Sequence, residues 1–404
     1  MDDVYATKVS YAWEDRQAWL ELPFPLTEYE RRVRAVQAGI RKRGLAALLV
    51  YNAPGRTGEI RYLTNFNSFF GISVLIMPPE GDLTIVSNAC FHGEPMHTEV
   101  WKTWVRDFRH AHFSIPVAKP GSVADLLVEA LRERKLEGGR LGLAGYAWWP
   151  MVLHQRVSEA LPGFRVEPAE DLVLEVKKIK SPLEVEVMRR LAWIGDRGLE
   201  AGFRTVRPGV SELDVCAEVH HALIKSGAEE VGGEIVVVGG PRAGFKHVWP
   251  TTRTFQDGDM VFIDLKAVYQ GYWCDIARSF AVGTPSAEAK KLLDLCVRLA
   301  DETLRRVKPG VEVGSLYTVP QTLADEAGIG HRFFPTGLGH GTGTARAEPP
   351  FLHVGSTLPF EENMVFSLEP ALAVEGLGTA CIEDMCRVTA EGAERMSVFE
   401  RVLW

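Results

Sequence analysis

The stretch Gly258–Phe280, GDMVFIDLKAVYQGYWCDIARSF, decides how the rest of the chain is read. Two short apolar runs, Met260 to Leu265 and Trp273 to Phe280, have strand length and are joined by the turn-like Tyr269, Gln270 and Gly271. Each run carries one aspartate, Asp264 and Asp275, in otherwise apolar company. Either aspartate alone reads as a solvated edge residue or an ion-pair partner. The two are eleven residues apart across a hairpin and can lie on neighbouring strands, where like charges repel unless a cation sits between them.

More hard ligands lie downstream. The segment PTGLGHGTG, residues 335–343, sets His340 among four glycines that let the backbone come close and leave the imidazole unshielded. VFSLEP, residues 365–370, puts Glu369 on an apolar strand, and ACIEDMCRV, residues 380–388, puts Glu383 on another. Two aspartates, one histidine and two glutamates form an oxygen-rich, nitrogen-poor set suited to a pair of divalent cations such as manganese, cobalt or iron.

The order Asp, Asp, GHGTG, SLEP, IEDM resembles the metal site of the M24 metallopeptidase superfamily, the pita-bread fold of methionine aminopeptidase, aminopeptidase P, prolidase and the metal-free creatinase. The resemblance runs from about Glu175 to the end and is looser before it. It implies that Asp264, Asp275, His340, Glu369 and Glu383 hold two divalent ions, manganese first, with cobalt, iron or zinc as alternatives. It also implies that Asp275 and Glu383 bridge the ions, that a metal-bridged hydroxide attacks a small amide substrate, and that Glu369 accepts the proton. His247, read from its surroundings alone as a loop histidine, takes a substrate-facing role by the same resemblance.

At 404 residues the chain is long for a single core, and two domains are expected. Helical spacing at 28–43, the apolar run LAALLVYN at 45–52, a hairpin at 74–86, a helix at 123–134 and a strand at 141–143 predict an α/β domain over residues 1–165. That order resembles the N-terminal domain of creatinase and prolidase. Residues 166–404 then form an α+β pita-bread catalytic domain. Its entry helix is announced by Ser181, Pro182 and Glu184, an N-cap with proline at the first helical position.

The net charge of −8 argues against nucleic acid as the main partner, and no run of 18 apolar residues suggests a membrane span. The polar start MDDVYATKVS shows no signal peptide, and six cysteines without a CxxC pair read as reduced thiols of a cytoplasmic protein. The basic clusters at 31–34, 41–43 and 177–180 read as solvated faces. A homodimer is implied by the resemblance alone.

The chain also departs from the family. Two histidines that assist peptide cleavage there correspond to Thr336 and Ala347 here. Arg346, as a binder of a substrate carboxylate, and His331, folding back, are candidates to fill the gap. Glu348 keeps its place as a brace, and Lys266, on the same strand face as Asp264, either pairs with a ligand carboxylate or reaches solvent. The expected function is therefore an Xaa-Pro dipeptidase-like hydrolase acting on a dipeptide or other small molecule. The alternatives are a creatinase-like or ectoine hydrolase-like C–N hydrolase, a dimethylsulfoniopropionate-type lyase, or a silent binding protein.

Overall fold

The computed structural model describes residues 13–53, 58–67, 71–90, 100–112, 122–231, 235–333 and 337–404. The chain divides into two compact units, the first running to Lys177 and the second from Lys178.

The first unit is a mixed sheet whose strands follow the order β4-β3-β2-β1-β5-β6. They are β1 (Ala47–Asn52), β2 (Ser73–Met77), β3 (Thr84–Cys90), β4 (Asp107–His112), β5 (Leu141–Ala144) and β6 (Val166–Pro168). Successive side chains of β1 enter opposite cores, as a pleat requires. Leu48 and Val50 pack with Val36 and Ile40 of α1 (Leu26–Arg43), whereas Ala47 and Leu49 pack with Leu127 and Leu131 of α2 (Val123–Glu133). β5 pairs in parallel with β6, which carries the unit past the expected boundary at residue 165. The helix Asp171–Lys177 closes it.

Two of the basic clusters are only partly the solvated faces expected, Arg31 and Arg34 being exposed but other members buried. Arg32 is buried, its guanidinium over the rings of Phe24, Tyr29 and Tyr62 while it donates to Glu28 and to the Tyr62 carbonyl. Lys177, Lys178 and Lys180 are buried as well, with Glu59, Glu361 and Glu348 as their counter-charges. For the lysines a carboxylate distant in sequence makes burial tolerable, which no local pattern announces, whereas Arg32 uses Glu28 one helical turn before it.

In the second unit the main sheet follows β12-β11-β13-β15-β10-β9-β7. Its strands are β7 (Glu230–Val231), β8 (Val236–Gly239), β9 (Met260–Tyr269), β10 (Tyr272–Ala281), β11 (Gly339–Gly341), β12 (Glu348–Phe351), β13 (Val365–Leu368), β14 (Ala371–Val374), β15 (Gly378–Val388) and β16 (Ala393–Arg395). The β9–β10 hairpin is longer than the apolar runs suggest, because Lys266 to Tyr269 remain in register with Tyr272 to Asp275.

Helix α3 (Pro182–Thr205) begins with a capping box between Ser181 and Glu184. It lies on the sheet through three glycines. A Cβ at Gly195 would come 2.5 Å from Ile276 Cδ1, one at Gly198 2.9 Å from Leu265 Cδ2, and one at Gly202 2.7 Å from Ile263 Cδ1. Absence of a side chain is what lets helix and sheet approach this closely. Helices α4 (Glu212–Lys225) and α5 (Ala287–Leu304) complete the packing, the latter with Leu293, Cys296 and Leu299 in the core that holds Phe366, Leu368 and Ile382.

Candidate metal centre

Register alone brings most of the acids together. Ala277 of β10 lies opposite Asp264 of β9 on one side and opposite Glu383 of β15 on the other. Residues directly opposite share a face, so Asp264 and Glu383 flank Ala277 in one row. Asp275, two residues before Ala277 and opposite Lys266, stands in the next row of that face.

His340 and Glu369 come in from the neighbouring strands. β11 pairs with β13, and Glu369, one residue past the end of β13, donates its N–H to the Leu338 carbonyl. A Cβ at Gly339, whose φ is 140°, would fall 1.9 Å from the Ser367 carbonyl oxygen. Glycine is therefore required for β11 to run this close and deliver His340.

One ligand atom each from Asp275, His340 and Glu383 lie within 4.8 Å of one another. His340 Nε2 is 3.6 Å from Asp275 Oδ2 and 4.0 Å from Glu369 Oε1. Its Nδ1 is 3.1 Å from the Gly341 carbonyl, which can only accept, so Nδ1 donates there and Nε2 is the ring nitrogen turned toward the acids.

The electrostatics match. Burial pushes Asp275 and Glu383 well above the usual carboxylate range, and neighbouring acids add to it, Asp264 and Glu369 for the first and Asp275 and Glu369 for the second. Two lysines offset part of this charge. Lys266 Nζ is 2.8 Å from Asp264 Oδ1 and 3.1 Å from Asp275 Oδ1, and Lys246 pairs with Glu369 Oε2. Burial would lower both ammonium groups, but the surrounding acids outweigh it and hold them above the ordinary lysine value. Four converging carboxylates with one free imidazole nitrogen fit a hard divalent cation.

The supports lie behind these candidate ligands. Ser367 Oγ donates to the Asp275 carbonyl at 2.7 Å. Glu348 accepts from Lys180 at 2.7 Å and from the Ala345 N–H at 3.2 Å, both charged side chains being 1% exposed, and so ties down the turn after His340. On the opposite face of the sheet Arg278 donates to the Glu383 carbonyl and to Asp384, each at 2.7 Å.

The remaining sequence candidates lie further out. His247 is exposed, one residue after Lys246. Arg346 and Ala347 are exposed in the turn between β11 and β12. His331 is exposed with Nε2 3.2 Å from its neighbour Arg332 Nε, and the structure does not bring it to the acids. Thr336 lies outside the described residues. Lys246 and Lys180 had no signal in the sequence. A loop lysine and a lysine in a KKIK run both look solvated until their distant partners are seen.

The sequence pattern of metallopeptidase family M24 matches residues 186–390, and that of the creatinase/prolidase N-terminal domain matches residues 32–179. The chain belongs to the M24 metallopeptidase family. As an M24 protein it is a metal-dependent hydrolase, built as a creatinase/prolidase N-terminal domain followed by a pita-bread domain. It is 30% identical over 249 residues to a putative dipeptidase of Bacillus subtilis, 62% of this chain and 68% of that protein. It is 27% identical over 263 residues to an Xaa-Pro dipeptidase of Pyrococcus furiosus, 65% of this chain and 75% of that one. Among solved structures it resembles a prolidase of Thermococcus sibiricus with a TM-score of 0.81 at 25% identity, covering 93% and 98% of the two chains. Among the described residues, no helix of this M24 protein is long and apolar enough to cross a membrane.

Proposed function

We propose that this M24 hydrolase cleaves the amide bond of a small substrate of the Xaa-Pro class. The convergence of Asp264, Asp275, His340, Glu369 and Glu383 on one sheet face carries the reading. Its likeness to proteins named as Xaa-Pro dipeptidase and prolidase supports the choice of substrate. Those five residues would hold the metal, manganese before cobalt, iron or zinc. When bound, the metal supplies an acidified water and polarises the scissile carbonyl.

The chain's own residues do the rest. Glu369 has Oε2 engaged by Lys246 and Oε1 turned toward His340, so Oε1 is the atom that accepts a proton. His247, exposed beside Lys246, is the group that meets the substrate. Arg346, exposed in the turn after His340, is the residue proposed to meet a substrate carboxylate. The same proposal takes the protein as a cytoplasmic homodimer. Free buried thiols at Cys274, Cys296, Cys381 and Cys386 support a reducing compartment, and sedimentation tests the dimer.

One observation favours a second reading. Ala347 stands exposed where the family resemblance puts a histidine, so no imidazole at that position can pass a proton to a departing amine. A C–N hydrolase or lyase acting on a non-peptide substrate tolerates that loss better. Hydrolysis of Ala-Pro and Gly-Pro by the manganese-loaded protein decides between them. Turnover abolished by Asp275→Ala supports the dipeptidase, and a metal-loaded protein inert to both dipeptides rejects it.

A further inference from the structure

We propose that this centre takes one divalent ion per chain, seated among Asp275, His340 and Glu383, with the ammonium groups of Lys266 and Lys246 supplying the charge that a second ion would carry. The inference rests on the metal-site reading above, narrows its five holding residues to three, and revises the pair of ions that the family resemblance implies.

Lys266 is fixed by the backbone. It lies two residues after Asp264 on β9 and opposite Asp275 on β10, so the pleat points it at the same face as both acids. Its Nζ sits 2.8 Å from one and 3.1 Å from the other. The side chain is 6% exposed in the middle of a paired strand.

Lys246 arrives independently, from the loop after β8, and takes Oε2 of Glu369 with only 12% of its side chain exposed. Two ammonium groups thus engage the two outer acids, Asp264 and Glu369. The inner three donors remain close enough to share a single ion.

Charge balance points the same way. With all four carboxyls ionised by a bound cation, four carboxylates against two ammonium groups leave two negative charges, which one divalent ion cancels. A second ion, even with a hydroxide shared between the pair, would leave positive charge in excess within a buried site, where unpaired charge is heavily penalised. Either it stays out or a buried lysine must leave.

The test is the stoichiometry of the full chain. Protein stripped with EDTA is titrated with manganese chloride, bound metal is counted by equilibrium dialysis, and the spin state is read by electron paramagnetic resonance. The expected result is one ion per chain at saturation with the six-line signal of isolated manganese. For Lys266→Ala combined with Lys246→Ala, checked for folding by circular dichroism, bound metal should rise from one to two and the signal should become that of a coupled pair. Two ions per wild-type chain would overturn the inference and leave the metal-site reading standing. No ion at all would overturn both, and a folded double variant that still stops at one ion would overturn the role given to the lysines.

Discussion

Glu383 and Asp384 are consecutive residues of β15, both buried, and they sit in opposite electrostatic settings. Glu383 faces Asp275 and Glu369, and burial together with those neighbours pushes it well above the usual carboxylate range. Asp384 faces the other way. Burial there would also raise it, but Arg278, Arg401 and Arg395 overcome that and hold it at about 2. One strand thus carries a carboxylate that calls for a cation and another that already has three. The pleat keeps the two on separate faces, so a crowded, reactive acid is supported by a satisfied and rigid one.

Asp384→Ala gives the largest expected effect on stability. It takes from Arg278 its carboxylate partner and from Arg401 one of two, Asp301 remaining, and should cost about 3–5 kcal/mol in urea unfolding. A loss below about 1 kcal/mol would erase the contrast between the faces.

Glu383→Gln should behave in the reverse sense. Activity and metal affinity should fall by more than the roughly 10- to 100-fold typical of a mere supporting partner. The metal-free protein should unfold at the same urea concentration as wild type or higher, because a repelled charge has gone.

Acid sharpens the comparison further. The folded carboxyl of Asp384 lies below its ordinary value of 3.8, so the unfolded state binds the extra proton. Its stabilisation is fully present above that ordinary value and is lost as pH falls toward 2. Roughly 2–3 kcal/mol should disappear across that window in wild type, and unfolding curves of Asp384→Asn should lack this component.

Gly198→Ala tests whether the second face depends on close packing as much as on charge. The new Cβ would lie 2.7 Å from Leu223 Cδ2 and 2.9 Å from Leu265 Cδ2, and about 1–3 kcal/mol should be lost in the same assay. Lys290→Ala, at an exposed pair with Asp294, gives the baseline for a charge on neither face, with a change under about 0.5 kcal/mol.

The sequence made the acid face legible because strands have a period of two and the glycines around His340 mark a close approach. Asp264 and Asp275 each stand out in an apolar run, and the hairpin between them limits their register. The wording of the segments around His340, Glu369 and Glu383 then supplied the family. Local spacing cannot show a partner more than a hundred residues away. Lys180 finds Glu348 168 positions on, Lys246 finds Glu369 123 positions on, and both lysines looked like surface charge until those strands were placed. Arg278 was silent for the same reason, its partners being Asp384, Phe399 and Glu400.

That last separation bears on how the protein is made. Arg278 leaves the ribosome 106 residues before Asp384 and 121 before the Phe399 carbonyl that completes its bonding. Until then its guanidinium has only the adjacent Ala277 carbonyl and water to satisfy it, which disfavours burial of that face of the β9–β10 hairpin while the chain is still being synthesised. The N-terminal unit has all its strands by then and can close early, whereas the catalytic sheet waits for the segment that runs to Arg401. A ribosome stalled a few codons short of that segment would therefore hold a folded first unit joined to an open and sticky second one, the form that chaperones and proteases meet.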